Sequence, residues 1–232
     1  VVINRDNDAA NLTIEAADDA DPVINRTTDN GEPAVAIDQD GVTLEGFTIE
    51  RTTSDSTSVV AQAVRVAGND VALIDNDYIV NGTANNAVGV LTASSGAAGN
   101  PDVSGVTIDS VTIEGGSITA GTGDGAAGET GVLVADSGAA SFSDGAVSIT
   151  GVEFSAESGN NHLIGLDTGG AVVNQTAVLN NNTFDAAAAP DTVSGSIDGF
   201  SIDSLITSTV QSSVDTAATD ATVSVASGTY NE

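Results

Sequence analysis

The sequence predicts an all-β solenoid, and three observations carry that prediction. Short segments of alternating apolar residues recur along the 232 residues, they come in two kinds that follow one another in a fixed order, and Gly, Asn and Asp separate them. Alternation with period two marks a strand with one face toward a core. A fixed order repeated along a chain marks stacked supersecondary units.

The first kind of segment is an eight-residue template: apolar, x, apolar, x, x, any residue, x, apolar. It reads VTLEGFTI from Val42, ALIDNDYI from Ala72, VTIDSVTI from Val106, VSITGVEF from Val147 and AVLNNNTF from Ala177, at spacings of 30, 34, 41 and 30 residues. A degenerate copy, GSIDGFSI, starts at Gly195. Each copy predicts two short strands with a bend between them. The second kind is a small residue followed by alternating apolars, and it precedes each good copy: AVAID from Ala34, AVRVA from Ala63, AVGVL from Ala87, GVLVA from Gly131 and HLIGL from His162. The order is therefore strand, turn, strand, bend, strand, turn, five times over. Turns such as Asp40-Gly41 and Gly68-Asn69-Asp70 carry residues suited to tight turns. The Gly-, Ala- and Ser-rich stretches Ala93–Pro101 and Gly115–Glu129 are expected as exposed loops. Such uneven loops argue against a propeller. An immunoglobulin-type sandwich is the structural alternative, but it leaves the paired templates unexplained. Phe47, Phe142, Phe154, Phe184 and Phe200 are expected in the core or at its ends, and Tyr78 either as a stacking residue or at a strand edge.

The phrases AVAIDQDGVTLEGFTIE and AVRVAGNDVALIDNDYIV resemble the parallel β-helix repeat of pectate-lyase-like proteins, and among these the large surface-protein group of haloarchaea. The resemblance runs from Val1 to Phe184. It implies a right-handed parallel β-helix with three parallel sheets.

The C-terminal stretch reads differently. Ile206, Val210 and Val214 recur every four residues beside Leu205, which predicts one short amphipathic helix over residues 204–218, capped by Asp203 or Ser204. ATVSVASGTYNE, from Ala221 to Glu232, then alternates like a strand. The expected division is a β-helix module over residues 1–203, a cap or linker helix over 204–218, and a strand over 219–232 that continues into the first coil of the next module or subunit. In the family resembled, a helix and a strand ending in Gly-Thr-Tyr stand at the beginning. Here Gly228-Thr229-Tyr230 comes last, and Tyr230-Asn231-Glu232 joined to Val1-Val2-Ile3 reads as one uninterrupted start. Three explanations compete: one period of a longer tandem array, strand donation from one subunit to the next, or a permutation that closes on itself. The distance between the ends of a solenoid disfavours the third. The residues expected to carry assembly are Val1, Val2, Ile3, Ile206, Val210, Val214, Val223, Val225 and Tyr230.

Charge sets the environment. Asp and Glu number 33 against 4 basic residues, a net charge of −29, and the basic residues are all Arg. Such a chain repels phosphate, so nucleic acid is excluded as a partner. Self-repulsion opposes a compact state at ordinary ionic strength, but at about 1 M salt the Debye length is only about 3 Å and the repulsion is screened. An acidic excess with no Lys points to a halophilic protein. The absence of Cys excludes disulfides and thiol chemistry, and the absence of Met points to a processed chain or one link of a longer array. No apolar run is long enough for a helical membrane span.

Candidate chemistry is sparse. Asp38, Asp40, Asp75 and Asp77 are weak candidate ligands for Ca²⁺, which seeks 6–8 oxygens; no other cofactor is expected. Sequons at Asn11, Asn25, Asn81, Asn174 and Asn181 are candidate glycosylation sites, although their number matches chance. Asn180-Asn181-Asn182 also suits a ladder in a turn. Arg51, Arg65 and His162 are the candidate bases of a polysaccharide lyase, with Arg65 expected to project outward beside Asp75 and Asp77, but no catalytic residue is assigned. The expected function is structural: a module of an extracellular, cell-surface assembly or filament that stacks end to end on copies of itself, with surface glycans as further partners. A carbohydrate-binding or polysaccharide-cleaving β-helix is the alternative.

Overall fold

In a computed structural model the chain is all-β. The structure describes residues 1–3, 11–28, 32–53, 60–82, 86–92, 106–120, 129–135, 140–142, 147–156, 162–167, 177–180, 182–184, 191–194, 201–202 and 205–206. The described strands form three parallel seven-stranded sheets and one small two-stranded sheet. The chain visits sheet one, sheet two and sheet three in the same order on every pass. Its first pass is Val2–Ile3, Leu12–Glu15 and Val23–Thr27; its second is Val35–Ile37, Val42–Glu45 and Thr48–Thr53; its third is Val60–Val66, Val71–Ile74 and Asp77–Gly82. Each pass lies beside the one before it, which is the arrangement of a β-helix solenoid. The described strands make seven such coils, two more than the good template copies.

Register fixes which residues share a ladder. In sheet two Leu12, Val42, Val71, Val111, Val147 and Ala177 follow one another from coil to coil, and so do Ile14, Leu44, Leu73, Ile113, Ile149 and Leu179. In sheet three the ladder is Ile24, Ile49, Tyr78, Ile118, Phe154 and Phe184. From Val42 to Phe154 the described members of these ladders are at most 1% exposed and belong to one core. Alternation therefore does what period two requires: one face of each strand enters the core, and Thr43, Glu45 and Thr48 stay on the other.

Two corners explain the turn residues. The residue that enters sheet two has positive φ at Asn11 (63°), Gly41 (70°) and Asp70 (52°), and the residue that leaves it has positive φ at Gly46 (79°), Asp75 (49°), Gly115 (64°) and Gly151 (68°). Left-handed backbone is open to Gly and tolerated by Asn and Asp, so the sequence spaces these residues at both ends of sheet two. One residue further on, Asn76 and Asn182 are buried and act alike. Asn76 Nδ2 donates to Leu44 O (2.8 Å) and its Oδ1 accepts from Phe47 N (2.9 Å); Asn182 Nδ2 donates to Ile149 O (2.8 Å) and its Oδ1 accepts from Val152 N (2.9 Å). Each amide thus satisfies the bend of the preceding coil. At the other corner Asp40 Oδ1 accepts from Asn69 N (2.8 Å), and Asn69 Oδ1 accepts from Asp109 N (2.7 Å).

Several expectations are corrected. The copy placed at Ala72 is VALIDNDY from Val71, one residue earlier, so Tyr78 rather than Ile79 enters the core and is 1% exposed. A slip of one residue exchanges the two faces of a strand. Tyr78 is therefore no edge residue, and burial raises its pKa well above the ordinary tyrosine value. The copy placed at Val106 is VTIEGGSI from Val111, and Val106–Ile108 instead pairs with Ala140–Phe142 in the small sheet. Gly115–Glu129, expected as a loop, contributes the sheet-three strand Ser117–Ala120. The degenerate copy from Gly195 gives way to Ser201–Ile202 in sheet two and Leu205–Ile206 in sheet three. Leu205 and Ile206 pair with Asn182 and Thr183, so the predicted helix does not begin there; the ladder of the sixth coil outweighs the local four-residue period. The remaining residues of that helix, with Val210 and Val214, and the strand carrying Val223, Val225 and Tyr230 lie outside the described residues. So do Ala93–Pro101, Asn174 and Asn181.

Candidate functional site

Among the described residues the first coil is the open end of all three sheets. Val2–Ile3, Leu12–Glu15 and Val23–Thr27 each pair only with the second coil among the described residues. The stacking is regular: Ala36 N donates to Val1 O (3.0 Å), Asp38 N to Ile3 O (2.7 Å) and Thr48 N to Pro22 O (3.0 Å). Burial falls off at this end. Leu12, Ile14 and Ile24 are only partly buried, while their neighbours Val42, Leu44 and Ile49 are at most 1% exposed. Val1, Val2 and Val23 are 60%, 64% and 56% exposed. Three strand edges and an apolar cross-section therefore face outward together, the situation that invites another chain to pair. Of the residues singled out for assembly, Val1, Val2 and Ile3 lie in this coil, and Ile206 lies in the seventh coil at the other end.

The arginines are placed differently from expectation. Arg65 does not project beside Asp75 and Asp77: it is 0% exposed, and its Nη2 lies 2.7 Å from Asp38 Oδ1, with Asp38 2% exposed. Ala36 pairs with Arg65, so Asp38, two residues on, lies on the same face of sheet one. Both faces of residues 61–67 are buried, which takes the guanidinium out of water. Burial lowers the Arg65 pKa, and the charge and hydrogen bond of Asp38 oppose that shift. Arg51 is also 0% exposed. Its Nε donates to Glu32 O (3.1 Å), and its Nη1 donates to Thr28 O (2.8 Å) and Thr52 O (2.5 Å). It thus binds the corner between sheet three and the next sheet one, where backbone carbonyls need donors. Arg26, half-exposed, pairs with Glu32 and donates to Pro33 O (3.3 Å). The sequence offers Asp38 and Arg65 separately; what joins them is that Asp38, the fifth residue of AVAID, and Arg65, the third of AVRVA, fall on one face once Ala36 pairs with Arg65.

The candidate metal ligands are held apart. Asp38 and Asp40 lie between sheets one and two of the second coil, whereas Asp75 lies between sheets two and three of the third coil and Asp77 begins its sheet-three strand. Asp38 binds Arg65, Asp40 accepts from Asn69 N, and Asp77 Oδ1 accepts from Ser117 Oγ (2.6 Å). Among the described residues no three His, Cys, Asp or Glu side chains cluster as metal ligands do. Three sequon residues are described. Asn11 is exposed at a corner. Asn25 is exposed within a strand, where its Nδ2 donates to Glu50 Oε2 (2.5 Å). Asn81 is partly buried in Asp77–Gly82. His162 is in a sheet-one strand between Thr130 and Asp191. No helix among the described residues is long and apolar enough to cross a membrane.

No protein-family model, no curated protein and no solved structure matches this chain. The reading of function therefore rests on the residues and their geometry.

Proposed function

We propose that this chain is a structural module of a right-handed parallel β-helix, stacking end to end on copies of itself in an extracellular, halophilic assembly of an archaeal cell surface. The observation that carries the reading is the first coil, where three parallel strand edges and the half-buried Leu12, Ile14 and Ile24 terminate together. Stacking another coil there pairs the edges and covers the apolar residues. A head-to-tail contact between unlike ends does not close on itself, so it propagates into a filament. Right-handedness follows from the strong preference of parallel crossovers. Exposed Asn11 and Asn25 are the sequons best placed for glycans, and Ca²⁺ at the corner carboxylates is a subsidiary expectation.

Light scattering at rising protein concentration in about 3 M KCl, where charge is screened, tests the reading. Mass is expected to grow in steps of one module, and Leu12→Asp, which puts a charge on the contact, is expected to hold it at one module with circular dichroism unchanged. A wild-type mass that stays at one module overturns the proposal.

The halophilic part has its own measurement. Glu15 and Glu45 are register partners in sheet two, so two carboxylates stand side by side on one face; like charges so placed destabilise a sheet. Denaturant unfolding is expected to show higher stability in about 3 M than in about 0.1 M KCl, and Glu45→Thr is expected to stabilise the low-salt state by about 0.5 kcal/mol with little effect at high salt. Equal wild-type stability in both salts contradicts it.

A further inference from the structure

We propose that the buried guanidinium of Arg65 holds a small inorganic anion, chloride in molar salt, on the donors that Asp38 does not use. The inference rests on the halophilic reading above and gives salt a second action beside screening.

Alternation decides where the group lies. Val64 and Val66 enter the core, so Arg65 between them is on the other face of sheet one. Asp38 is on that face too, two residues beyond Ala36, the register partner of Arg65. A guanidinium carries five N–H groups in one rigid plane and accepts nothing. Asp38 Oδ1 meets it at Nη2 (2.7 Å). Nε and Nη1 are buried and meet no acceptor among the described residues. The register partners on either side, Ala36 and Leu91, have side chains without an acceptor, and so do Ala63 and Ala67, two residues away along the chain. A buried donor left unmade forfeits its hydration in full, and native structures rarely leave one so without a water or an ion beside it. Burial lowers the Arg65 pKa although Asp38 opposes the shift, which marks a charge that its surroundings do not fully meet.

The acceptor that fits is small, because Arg65 is 0% exposed, and anionic, because the donor is a cation. A halide accepts from several donors and brings no hydrogen that needs a partner, whereas water brings two. Asp38 already balances Arg65, so an anion adds one buried negative charge beside a carboxylate, which is costly. The affinity is therefore weak, on the order of 1 M, and the site fills only in salt of that strength. In about 3 M chloride such a site raises the folding constant about fourfold by mass action.

Denaturant unfolding of the full chain in about 3 M KCl, and in potassium glutamate of the same ionic strength, separates binding from screening. Both salts screen alike, and glutamate is too large for an enclosed group. The comparison is repeated on Asp38→Leu combined with Arg65→Met, which removes carboxylate and guanidinium together, so that any general difference between the salts cancels. The wild type is expected to gain about fourfold more in folding constant from chloride than the double variant does. Crystals of the wild type grown in about 3 M KBr need no variant: anomalous scattering from bromide is expected within hydrogen-bond distance of Arg65 Nε or Nη1. Equal gains in the two proteins overturn the anion site while the halophilic reading stands, and so does a water or a carbonyl of the chain at both donors without anomalous signal. If the wild type is as stable in about 0.1 M as in about 3 M KCl, the halophilic reading falls and the site falls with it.

Discussion

Asp38→Ala is expected to lower stability by about 3–5 kcal/mol, the usual cost of stranding one member of a buried ion pair. Arg65 is 0% exposed and its charge is met at 2.7 Å by a carboxylate that is itself 2% exposed. With Asp38 gone the guanidinium has no route to water without opening sheet one, because both faces of residues 61–67 are buried. The pair also joins two coils: Asp38 follows the second sheet-one strand and Arg65 lies in the third. The loss therefore falls on an inter-coil contact and is expected to speed unfolding. Asp38→Leu combined with Arg65→Met is the decisive partner experiment, since a well-packed apolar pair of similar volume is often neutral or better than the ion pair. Denaturant unfolding of the two single variants and the double variant should show the double losing much less than the sum. Additive losses would mean that the two residues act independently and that the ion pair is not what stabilises this part of sheet one.

Much of the fold was legible because period-two alternation is set by the core. VTLEGFTI, VSITGVEF and AVLNNNTF start at the residues where the sheet-two strands start, and the segments from Ala34, Ala63, Ala87, Gly131 and His162 all lie in sheet one. Failures came where alternation loses its phase. Val71–Ile74 is apolar at all four positions, so the pattern fits equally well one residue out; left-handed Asp75 and buried Tyr78 choose between the two. VTI occurs at both Val106 and Val111, and only the pairing with Val71–Ile74 shows which enters sheet two. Leu205 and Ile206 have the spacing of a helix but find partners one coil back, information that no local pattern carries. The first coil does not show the eight-residue template, because residues 16–22 separate LTIE from Val23–Thr27, although LTIE from Leu12 alternates as well as VTLE. The sequence points Arg65 outward because a charged residue on an alternating strand normally faces water. The burial of both faces of that strand is a tertiary fact, and it turns a supposed surface base into half of an ion pair.

Phe154→Ala is expected to cost about 3–5 kcal/mol, toward the upper part of that range. Phe154 is 0% exposed and stands in the sheet-three ladder between Ile118 and Phe184. The cost of a large-to-small change depends on how far the surroundings collapse into the space left behind. In a solenoid that collapse is restricted along the axis, because the separation of coils is set by backbone hydrogen bonds at about 4.8 Å. Around Phe154 these include Glu153 N to Gly116 O (3.0 Å) on one side, and the Asn182 bridge to Ile149 O and Val152 N on the other. Neighbouring rungs therefore cannot close over the cavity without breaking the ladder. Phe154→Leu keeps most of the volume and is expected to cost less than about 1.5 kcal/mol. Denaturant unfolding of the two variants separates the possibilities: similar small losses for both would show that the coils repack freely and that the core is not held by its ladders.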